Sequence, residues 1–358
     1  MSGRARGDST RAAHAGLPAA QQGAPFLPGP TFFAPSHWAG EMGQGGYGRF
    51  GNPTWEAYEQ ALGELEGGEA LVVSSGMAAV AAVLLPLLKS GDTVVVPQDA
   101  YPGVRVIATD HLQARGVEVR LVPSSDAAFR AAADGATLVW VETPSNPGLD
   151  LIDVAGLAEV VHAAGGLLAV DGTLATPLRM RALDLGADIA MASASKHLTG
   201  HSDLVLGYVA TRDRVLADTM RGWRGLAGAI PGPFEVWLAH RSLATLAVRL
   251  ERQEDNAAAL VEALSSRDDV QDVRWPGFGA VVVFALAGEA QAQAFLSHAE
   301  LVAEATSFGG VHSSAERRAR WKTDEVSEGF IRFSCGIEDT ADLVADVRAA
   351  LGAAAAAG

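Results

Sequence analysis

The chain has 358 residues, 49% of them apolar, and a formal net charge of −15. This acidic balance argues against nucleic acid and anionic membrane surfaces as partners, because both attract basic proteins. The single cysteine excludes an internal disulfide or a cluster of thiolate ligands, and it favours a cytoplasmic location. The length is sufficient for about two domains.

In chain order, residues 1–58 come first, and their Gly, Pro and aromatic content without periodicity predicts an extended arm. Over 59–234, short apolar runs alternate with helical patterns, which predicts an α/β domain with a mostly parallel sheet. Its strands are expected at 93–96, 117–122, 137–142, 167–171, 188–193 and 204–211, and helices at 77–88, 104–115 and 154–164.

Residues 235–358 predict a smaller α+β domain. One long amphipathic helix is expected over 235–264, followed by strands at 279–286 and 329–334 with helical segments between them. A short basic cluster, Arg317, Arg318 and Arg320, is most simply a solvated helix face or an internal set of ion pairs.

Lysine is rare in this chain, since only Lys89, Lys196 and Lys322 occur among 27 basic residues. Lys196 lies in "SASKHLTGHSD", after the apolar strand "DIAMASAS". A lysine amine can lose its proton and attack a carbonyl, whereas arginine stays charged. Alternation along an extended chain places the hydroxyls of Ser193 and Ser195 on one face beside it, which suits a phosphate. A polar strand edge explains these two serines equally well.

Two other places carry similar signals. In "VVSSGMAAV" a strand-like run meets a helix, and the N–H groups of Gly76 and Met77 at such a helix start attract phosphate. The simpler interpretation is an ordinary helix cap by Ser74 or Ser75. Asp171 ends the apolar run "LLAVD", where a carboxylate is costly unless it meets a cation. A cap on the following turn is the simpler interpretation there.

Together these features predict a site for pyridoxal 5′-phosphate (PLP), which needs a lysine, an acid facing its pyridinium nitrogen and a phosphate cup. Ligands of α/β sheets lie at the C-terminal strand ends, where Glu142 and Asn146 also lie. The glycine pattern over 43–48 lacks the flanking strand and helix of a dinucleotide site. His197 and His201 are better explained as structural loop residues than as zinc ligands, so no metal is predicted.

Seven stretches of the chain then become recognisable, in order: "YGRFGNPTWEAYEQALGELEGGEALVVSSGMAAV", "VWVETPSNPGLDLIDV", "VDGTLATPL", "GADIAMASASKHLTGHSDLVLGYV", "RSLATLAVRLERQEDNA", "TSFGGVHS" and "GFIRFSCGIEDTADLVADV". They closely resemble the Cys/Met-metabolism family of PLP enzymes, which includes cystathionine gamma-synthase, cystathionine lyases and methionine gamma-lyase. The likeness covers about residues 14–350. It implies the fold-type I, aminotransferase-like architecture and a homotetramer of two tight dimers.

The resemblance also implies roles for individual residues. Lys196 would hold PLP covalently and shuttle protons, and Tyr101 would stack on the cofactor ring and act near the amino group. The other implied cofactor contacts are Tyr47 and Arg49, from the arm of a neighbouring subunit, and Gly76, Met77, Asn146, Asp171, Thr173, Ser193 and Ser195. Arg332 would bind the substrate α-carboxylate, which a guanidinium does well, and Ser307 would position that carboxylate or the lysine.

The implied reaction is γ-elimination on cystathionine-like sulfur amino acids. The alternatives are γ-replacement, by a cystathionine gamma-synthase or an O-acylhomoserine sulfhydrylase, a non-catalytic binding protein on the PLP fold, and a zinc hydrolase. The chain departs from the family pattern at Gly172 (usually Asn), Val104 (usually Thr), His197 (usually Tyr) and Thr306 (commonly Glu in gamma-lyases), and the loop over 275–279 is unusually short. These departures bear on substrate choice and assembly.

Overall fold

Two β-sheets organise the computed structural model of the protein, which describes residues 6–37 and 46–356. Within these ranges seven strands form the larger sheet: β1 (Glu69–Val73), β2 (Thr93–Pro97), β3 (Glu118–Val122), β4 (Leu138–Glu142), β5 (Leu167–Asp171), β6 (Ile189–Ala192) and β7 (Gly207–Thr211). Five strands form the smaller sheet: β8 (Gln271–Arg274), β9 (Val281–Ala285), β10 (Ala303–Glu304), β11 (Ser314–Arg317) and β12 (Phe330–Ser334).

The larger sheet has the strand order β1-β7-β6-β5-β4-β2-β3. Strands β2 to β6 pair in parallel, whereas β7 is antiparallel to both of its neighbours. The central strands β2 and β4 are buried along their whole length, as the continuous apolar runs of a parallel sheet require. The predicted mostly parallel sheet is therefore confirmed, and the strand bounds agree within a few residues.

Helices cover both sheets. In the described ranges they are α1 (Asp8–His14), α2 (Pro53–Glu66), α3 (Gly76–Leu87), α4 (Pro102–Val106), α5 (Asp126–Ala132), α6 (Val154–Ala163), α7 (Thr176–Arg179), α8 (Arg214–Ala227), α9 (Pro233–Leu243), α10 (Leu246–Ser265), α11 (Glu289–His298) and α12 (Thr340–Ala356). Side-chain oxygens of Asn52, Ser75 and Asp153 accept from backbone N–H groups at the starts of α2, α3 and α6. None of the helices in this part of the chain has the length and apolar character needed to cross a bilayer.

Two helix predictions need correction. The helix expected over 104–115 consists of α4, a π-helical turn (Ile107–Leu112) and a 3-10 turn (Gln113–Arg115). The single helix expected over 235–264 is two helices, which separate at Thr245. Arg249 stabilises this break: its guanidinium donates to the carbonyl oxygen of Ser242 near the end of α9 and to those of His197 and Leu198 in the turn after β6.

Three large apolar cores support the sheets in the described part of the chain, and a small fourth cluster joins Leu149 and Leu174 to Val281, Val283 and Phe330 of the smaller sheet. One lies on each face of the larger sheet, and a third lies between the smaller sheet and α10, α11 and α12. Helix α9 contributes Val236, Ala239 and Leu243 to the core of the larger sheet, and Ala12 of α1 joins the same core. Each fully buried large aliphatic side chain contributes about 1.5–3 kcal/mol. The division of the chain at residue 235 stays a prediction.

Candidate active site

A cavity of about 790 Å³ lies between the C-terminal edge of the larger sheet and the smaller sheet. Its first wall comes from β5, β6 and the start of α3, and its second wall comes from β11, β12 and the loop before them. The cavity therefore lies at the C-terminal ends of the parallel strands, where α/β sheets bind their ligands. The predicted residues that line it in one chain are Gly76, Met77, Tyr101, Asn146, Asp171, Thr173, Ser193, Ser195, Lys196, Ser307 and Arg332.

Lys196 lies in the turn that follows β6, and its amine reaches across the cavity to the second wall. Its Nζ donates to Ser307 Oγ at 2.7 Å. Burial and, to a smaller extent, the charge of Arg332 lower the pKa of Lys196 to about 8 against the opposing charge of Glu316. A neutral amine is both a nucleophile and a base, so the lowered pKa favours both roles for Lys196.

Ser307, the hydrogen-bond partner of Lys196, lies in the segment Thr306–Phe308. Ser307 has a φ of 92°, in the left-handed region that non-glycine residues rarely adopt. The next turn is held by the bond from Gly309 N to Ser334 Oγ at 2.9 Å. The Phe308 ring lies 5.2 Å from Lys196 Nζ and 5.1 Å from Arg332 Cζ. One aromatic ring thus contacts both cations and brings them to the same part of the cavity.

Asp171 ends β5 and lies beside Glu142 of β4 and Met191 of β6. Thr173 donates to Asp171 Oδ1 from its backbone N at 2.9 Å and from Oγ1 at 2.5 Å. Burial raises the pKa of Asp171 to about 6, and these two bonds oppose the rise. Within residues 6–37 and 46–356 no hydrogen bond is made to Oδ2, so this oxygen remains available for a cation.

Glu142 is a functional neighbour that the sequence placed only at a strand end. Its Oε1 accepts from the backbone N of Tyr101 at 2.8 Å, which fixes the start of α4. Burial raises the pKa of Glu142 well above its ordinary value, and the negative charge of Asp171 adds to the rise. Glu142 therefore takes up a proton more readily than an ordinary carboxyl, and its Oε1 holds the backbone of the half-exposed Tyr101 beside the cavity.

The start of α3 has no room for a side chain. A Cβ on Gly76 would lie 2.7 Å from Ser193 Cβ and 2.8 Å from Ser193 Oγ. Ser75 caps the helix by accepting from Ala78 N at 3.0 Å, which confirms the ordinary cap. That cap leaves the first N–H groups, those of Gly76 and Met77, at the positive end of the helix dipole beside Ser193. The Ser75 cap is thus compatible with an anion site at the N–H groups of Gly76 and Met77.

The strand expected to carry Ser193 and Ser195 ends at Ala192, and the chain then enters turns. Ser195 Oγ donates to the carbonyl oxygen of Leu206 at 3.0 Å and accepts from its N at 2.9 Å. Ser195 therefore lines the cavity from a turn whose shape its hydroxyl maintains. Alternation along an extended strand was the wrong reason to place it there, because the strand is shorter than predicted.

Arg332 forms the centre of the second wall. It lies on β12 directly opposite Glu316 of β11 and is 4% exposed. Its Nη1 donates to Asn146 Oδ1 at 2.6 Å, and its Nη2 donates to Glu316 Oε1. Burial lowers the pKa of Arg332 to about 10, which the charge of Glu316 opposes, so the guanidinium stays charged at neutral pH. Asn146 contacts Arg332, and its predicted contact with the cofactor stays a prediction.

The basic cluster divides between surface and interior. Arg318 is 6% exposed and pairs with Glu316 and Asp324, whereas Arg317 pairs with the exposed Glu328. The cluster is therefore in part an internal set of ion pairs, one of the two interpretations that the sequence allowed. The sequence did not reveal the role of Glu316. It lies two residues before Arg318, a spacing that places two side chains on the same face of a strand.

The remaining predicted residues lie elsewhere in one chain. Tyr47 and Arg49 do not line the cavity of their own chain; Arg49 Nη1 donates to the carbonyl oxygen of Gly225 at 2.8 Å, and Tyr47 is half exposed. The glycine pattern at 43–48 lies partly outside the described residues. His197 is buried against Phe308, and His201 Nδ1 lies 2.6 Å from the carbonyl oxygen of Thr199. No group of three or more ligand side chains in the described ranges is arranged to hold a metal.

The cavity offers a counterpart to three chemical parts of PLP. The open oxygen of Asp171 suits a pyridinium nitrogen, the side-chain-free cradle at Gly76 suits a phosphate, and the lysine of lowered pKa suits an aldehyde. Combined with the mostly parallel sheet and the smaller sheet domain, this fit defines a PLP-dependent enzyme of fold type I.

Comparison with known proteins identifies the family. The model of the Cys/Met metabolism PLP-dependent enzymes matches residues 30–352, and the chain belongs to this family. A protein of Streptomyces coelicolor, provisionally named a cystathionine gamma-lyase, is 50% identical over 97% of this chain and 94% of its own length. The cystathionine gamma-synthase of Mycobacterium tuberculosis is 37% identical over 97% of each chain.

A solved structure supports the same assignment. Cystathionine gamma-synthase from Xanthomonas oryzae, in complex with cystathionine, superposes with a TM-score of 0.93 at 32% identity and covers 99% of this chain and 100% of its own. The predicted fold class, the family and the cofactor are thereby confirmed. The named relatives include both lyases and synthases, so they leave the reaction itself to be argued from the site.

Proposed function

We propose that the protein is a PLP-dependent C–S lyase that performs γ-elimination on cystathionine-like sulfur amino acids. One observation carries this proposal: Lys196 Nζ and the Arg332 guanidinium contact the same Phe308 ring, at 5.2 and 5.1 Å. An α-amino acid held by its carboxylate on Arg332 then presents its α-carbon to the amine of Lys196. This is the arrangement that proton removal from the α-carbon requires.

PLP, when bound, supplies an electron sink conjugated to the substrate nitrogen. Arg332 holds the α-carboxylate, and its contact with Asn146 fixes the direction of its N–H groups. Lys196, in its neutral form, takes the proton from Cα. The amine then passes this proton on to the conjugated system and, neutral again, takes a proton from Cβ. The resulting ammonium gives a proton to the sulfur that leaves from Cγ as a thiol. Ser307 holds the amine between these transfers by accepting its hydrogen bond. Water then releases the remainder as a 2-oxo acid and ammonia.

The choice of elimination over replacement is supported by the 50% identical relative, which is provisionally named as a lyase. γ-Replacement by an incoming thiol remains the alternative, because the 37% identical relatives are named as synthases. Both reactions use Lys196 and Arg332 in the same way and differ in what reacts with the product of elimination.

We further propose that the protein forms a homotetramer and that it is located in the cytoplasm. Tyr47 and Arg49 do not reach the cavity of their own chain, and they are proposed to bind the phosphate in the cavity of a neighbouring subunit. Cys335 is buried and has no second cysteine in the chain with which to pair, which is usual in reducing compartments. Native mass spectrometry tests the assembly: a tetramer supports it, and a monomer contradicts it.

A product assay on the purified enzyme with saturating PLP tests the reaction. The proposal predicts 2-oxobutyrate, cysteine and ammonia from cystathionine alone, and slower thioether formation from an O-acylhomoserine plus cysteine. The opposite order of rates assigns the protein to γ-replacement. Binding of PLP without turnover of either substrate, or of homocysteine and methionine, would show a binding protein instead of an enzyme.

A further inference from the structure

Glu316 is the most completely buried carboxylate of the second wall, at 1% exposure. It lies on β11 in register with Arg332 on β12, so the two side chains extend from adjacent strands on the same side. Its Oε1 accepts from Arg332 Nη2 and from Arg318 Nη1, the latter at 2.9 Å. Its Oε2 accepts from the indole of Trp321 at 2.9 Å. Both oxygens are therefore occupied by fixed donors.

These contacts extend away from the cavity. Arg318 Nε donates to Asp324 Oδ2 at 2.8 Å, and the side chain of Asp324 is 4% exposed. Arg105 of α4 lies 4.0 Å from Asp324 and donates to the carbonyl oxygen of Thr323 at 2.7 Å. The network therefore joins the second wall to α4, which begins directly after Tyr101.

Cations outnumber carboxylates in this network. Glu316 and Asp324 pair closely with the guanidinium groups of Arg318 and Arg332. Two further guanidinium groups lie at the limit of an ion pair, Arg320 at 3.8 Å from Glu316 and Arg105 at 4.0 Å from Asp324. Burial alone would raise the pKa of Glu316, but Arg332, Trp321 and Arg318 together hold it below its ordinary value. A buried ion pair is costly unless its remaining donors and acceptors are satisfied, and here they are satisfied on both sides of the carboxylate.

We infer that Glu316 is a positioning residue for the α-carboxylate site: it sets the plane of the Arg332 guanidinium, while Arg318 and Trp321 hold Glu316 itself in place. Contacts with Glu316 and Asn146 engage two of the five N–H groups of Arg332, and the other three make no hydrogen bond within the described residues, so they are available to a carboxylate. A bidentate grip depends on that orientation. The inference rests on the proposed function only in assigning the α-carboxylate to Arg332.

The test compares two ligands of the PLP-loaded enzyme that differ by a carboxylate. L-Alanine has no γ-substituent to lose, and ethylamine lacks the carboxylate as well. Binding of each is followed by the change in cofactor absorption. In Glu316→Gln, alanine affinity is expected to fall about tenfold to a hundredfold, because a hydrogen bond between charged groups is lost. Ethylamine affinity and the PLP affinity of the apoenzyme are expected to stay within twofold of the parent values.

Two further variants complete the test. Glu328→Gln removes an acid from an exposed ion pair with Arg317, close in sequence but outside the network, and it is expected to bind both ligands like the parent enzyme. Trp321→Phe removes only the indole donor to Glu316. Because Trp321 is half exposed, this variant keeps the fold even if Glu316→Gln does not. It is expected to weaken alanine binding about twofold to tenfold without affecting ethylamine.

An equal loss of affinity for alanine and ethylamine, or unchanged alanine binding in the folded variants, overturns the role of Glu316. Failure of the proposed function gives a different pattern. In that case the parent enzyme and Arg332→Met bind alanine equally well, because Arg332 then has no carboxylate to hold.

Discussion

The two walls of the cavity are built in different ways. On the first wall, the contacts that shape the cofactor site join near neighbours, as in the bonds from Thr173 to Asp171 two residues away and from Ala78 to Ser75 three residues away. On the second wall, Lys196 and Ser307 are 111 residues apart, and Arg332 and Asn146 are 186 apart. The cofactor half is thus built around one sheet, from local contacts and from longer-range ones such as the bond from Tyr101 N to Glu142 Oε1, 41 residues apart. The substrate half exists only once the two sheets have come together.

Lys196 is the residue that both walls share, so its removal should have the largest effect. Lys196→Ala is expected to lower turnover by at least about 10⁴-fold at saturating PLP, because the nucleophile and the proton carrier are lost together. Steady-state assay of 2-oxo acid formation measures this. The exposed Lys89 gives the matched control, and Lys89→Ala should match the parent enzyme. Residual turnover above about one per cent in Lys196→Ala would remove this lysine from the chemistry.

Asp171→Asn tests the first wall alone. The amide still accepts from Thr173 but no longer carries a charge, so the PLP affinity of the apoenzyme should fall about 30-fold to several-thousand-fold. Asp188→Asn is the control, since Asp188 lies at the opposite end of the same sheet and accepts from Leu168 N. Absorption titration with PLP measures both. Equal affinities for the two variants would contradict the assignment of Asp171 to the pyridinium nitrogen.

Arg332→Met tests the second wall alone. The Michaelis constant should rise about tenfold to a hundredfold, because the carboxylate loses a charged hydrogen-bonding partner. PLP affinity should stay within twofold of the parent value, since Arg332 bonds to Glu316 of the second wall and, on the side of the larger sheet, to Asn146 alone. An unchanged Michaelis constant contradicts its role, and a large loss of PLP affinity would mean that the walls are not separable.

The smallest effect expected is a shift in a pH profile. Only the neutral amine of Lys196 reacts, so the rate at which the apoenzyme takes up PLP covalently should rise with pH through about 8. Arg332→Met should raise this midpoint by up to about one unit, because the positive charge that helps to lower the pKa of Lys196 is removed. Stopped-flow absorption measures both profiles. A midpoint near the ordinary value for lysine in the parent enzyme would contradict the lowered pKa.

This contrast explains what the sequence was able to predict. Lys196, Asp171 and the start of α3 stand out locally, as a rare residue type, a charge at the end of an apolar run and a glycine at a strand-to-helix junction. The resemblance to the family added Arg332 and Ser307. The Glu316 network was missed because its partners come from two strands and a connecting loop, and nothing in "ERRARW" by itself shows which arginine becomes buried.

Prediction of the fold from the sequence has the same limit, since contacts between distant residues are not visible in a local pattern. Six strands of the larger sheet, β2 to β7, were predicted within a few residues because most of them are continuous apolar runs, whereas β1 was not among the predicted strands. The break between α9 and α10 was not predicted. It is stabilised by the contact of Arg249 with carbonyl groups of the turn that follows Lys196, a tertiary contact that a continuous amphipathic pattern does not show.

The central claim is that Lys196 joins the cofactor wall to the substrate wall through a covalent bond to PLP. Borohydride reduction of the PLP-loaded enzyme, followed by peptide mass mapping, tests it most directly. The account predicts a single phosphopyridoxyl adduct, on the peptide that contains Lys196. An adduct on the peptide of Lys89 or Lys322, or no adduct on a protein that has taken up PLP, would contradict it.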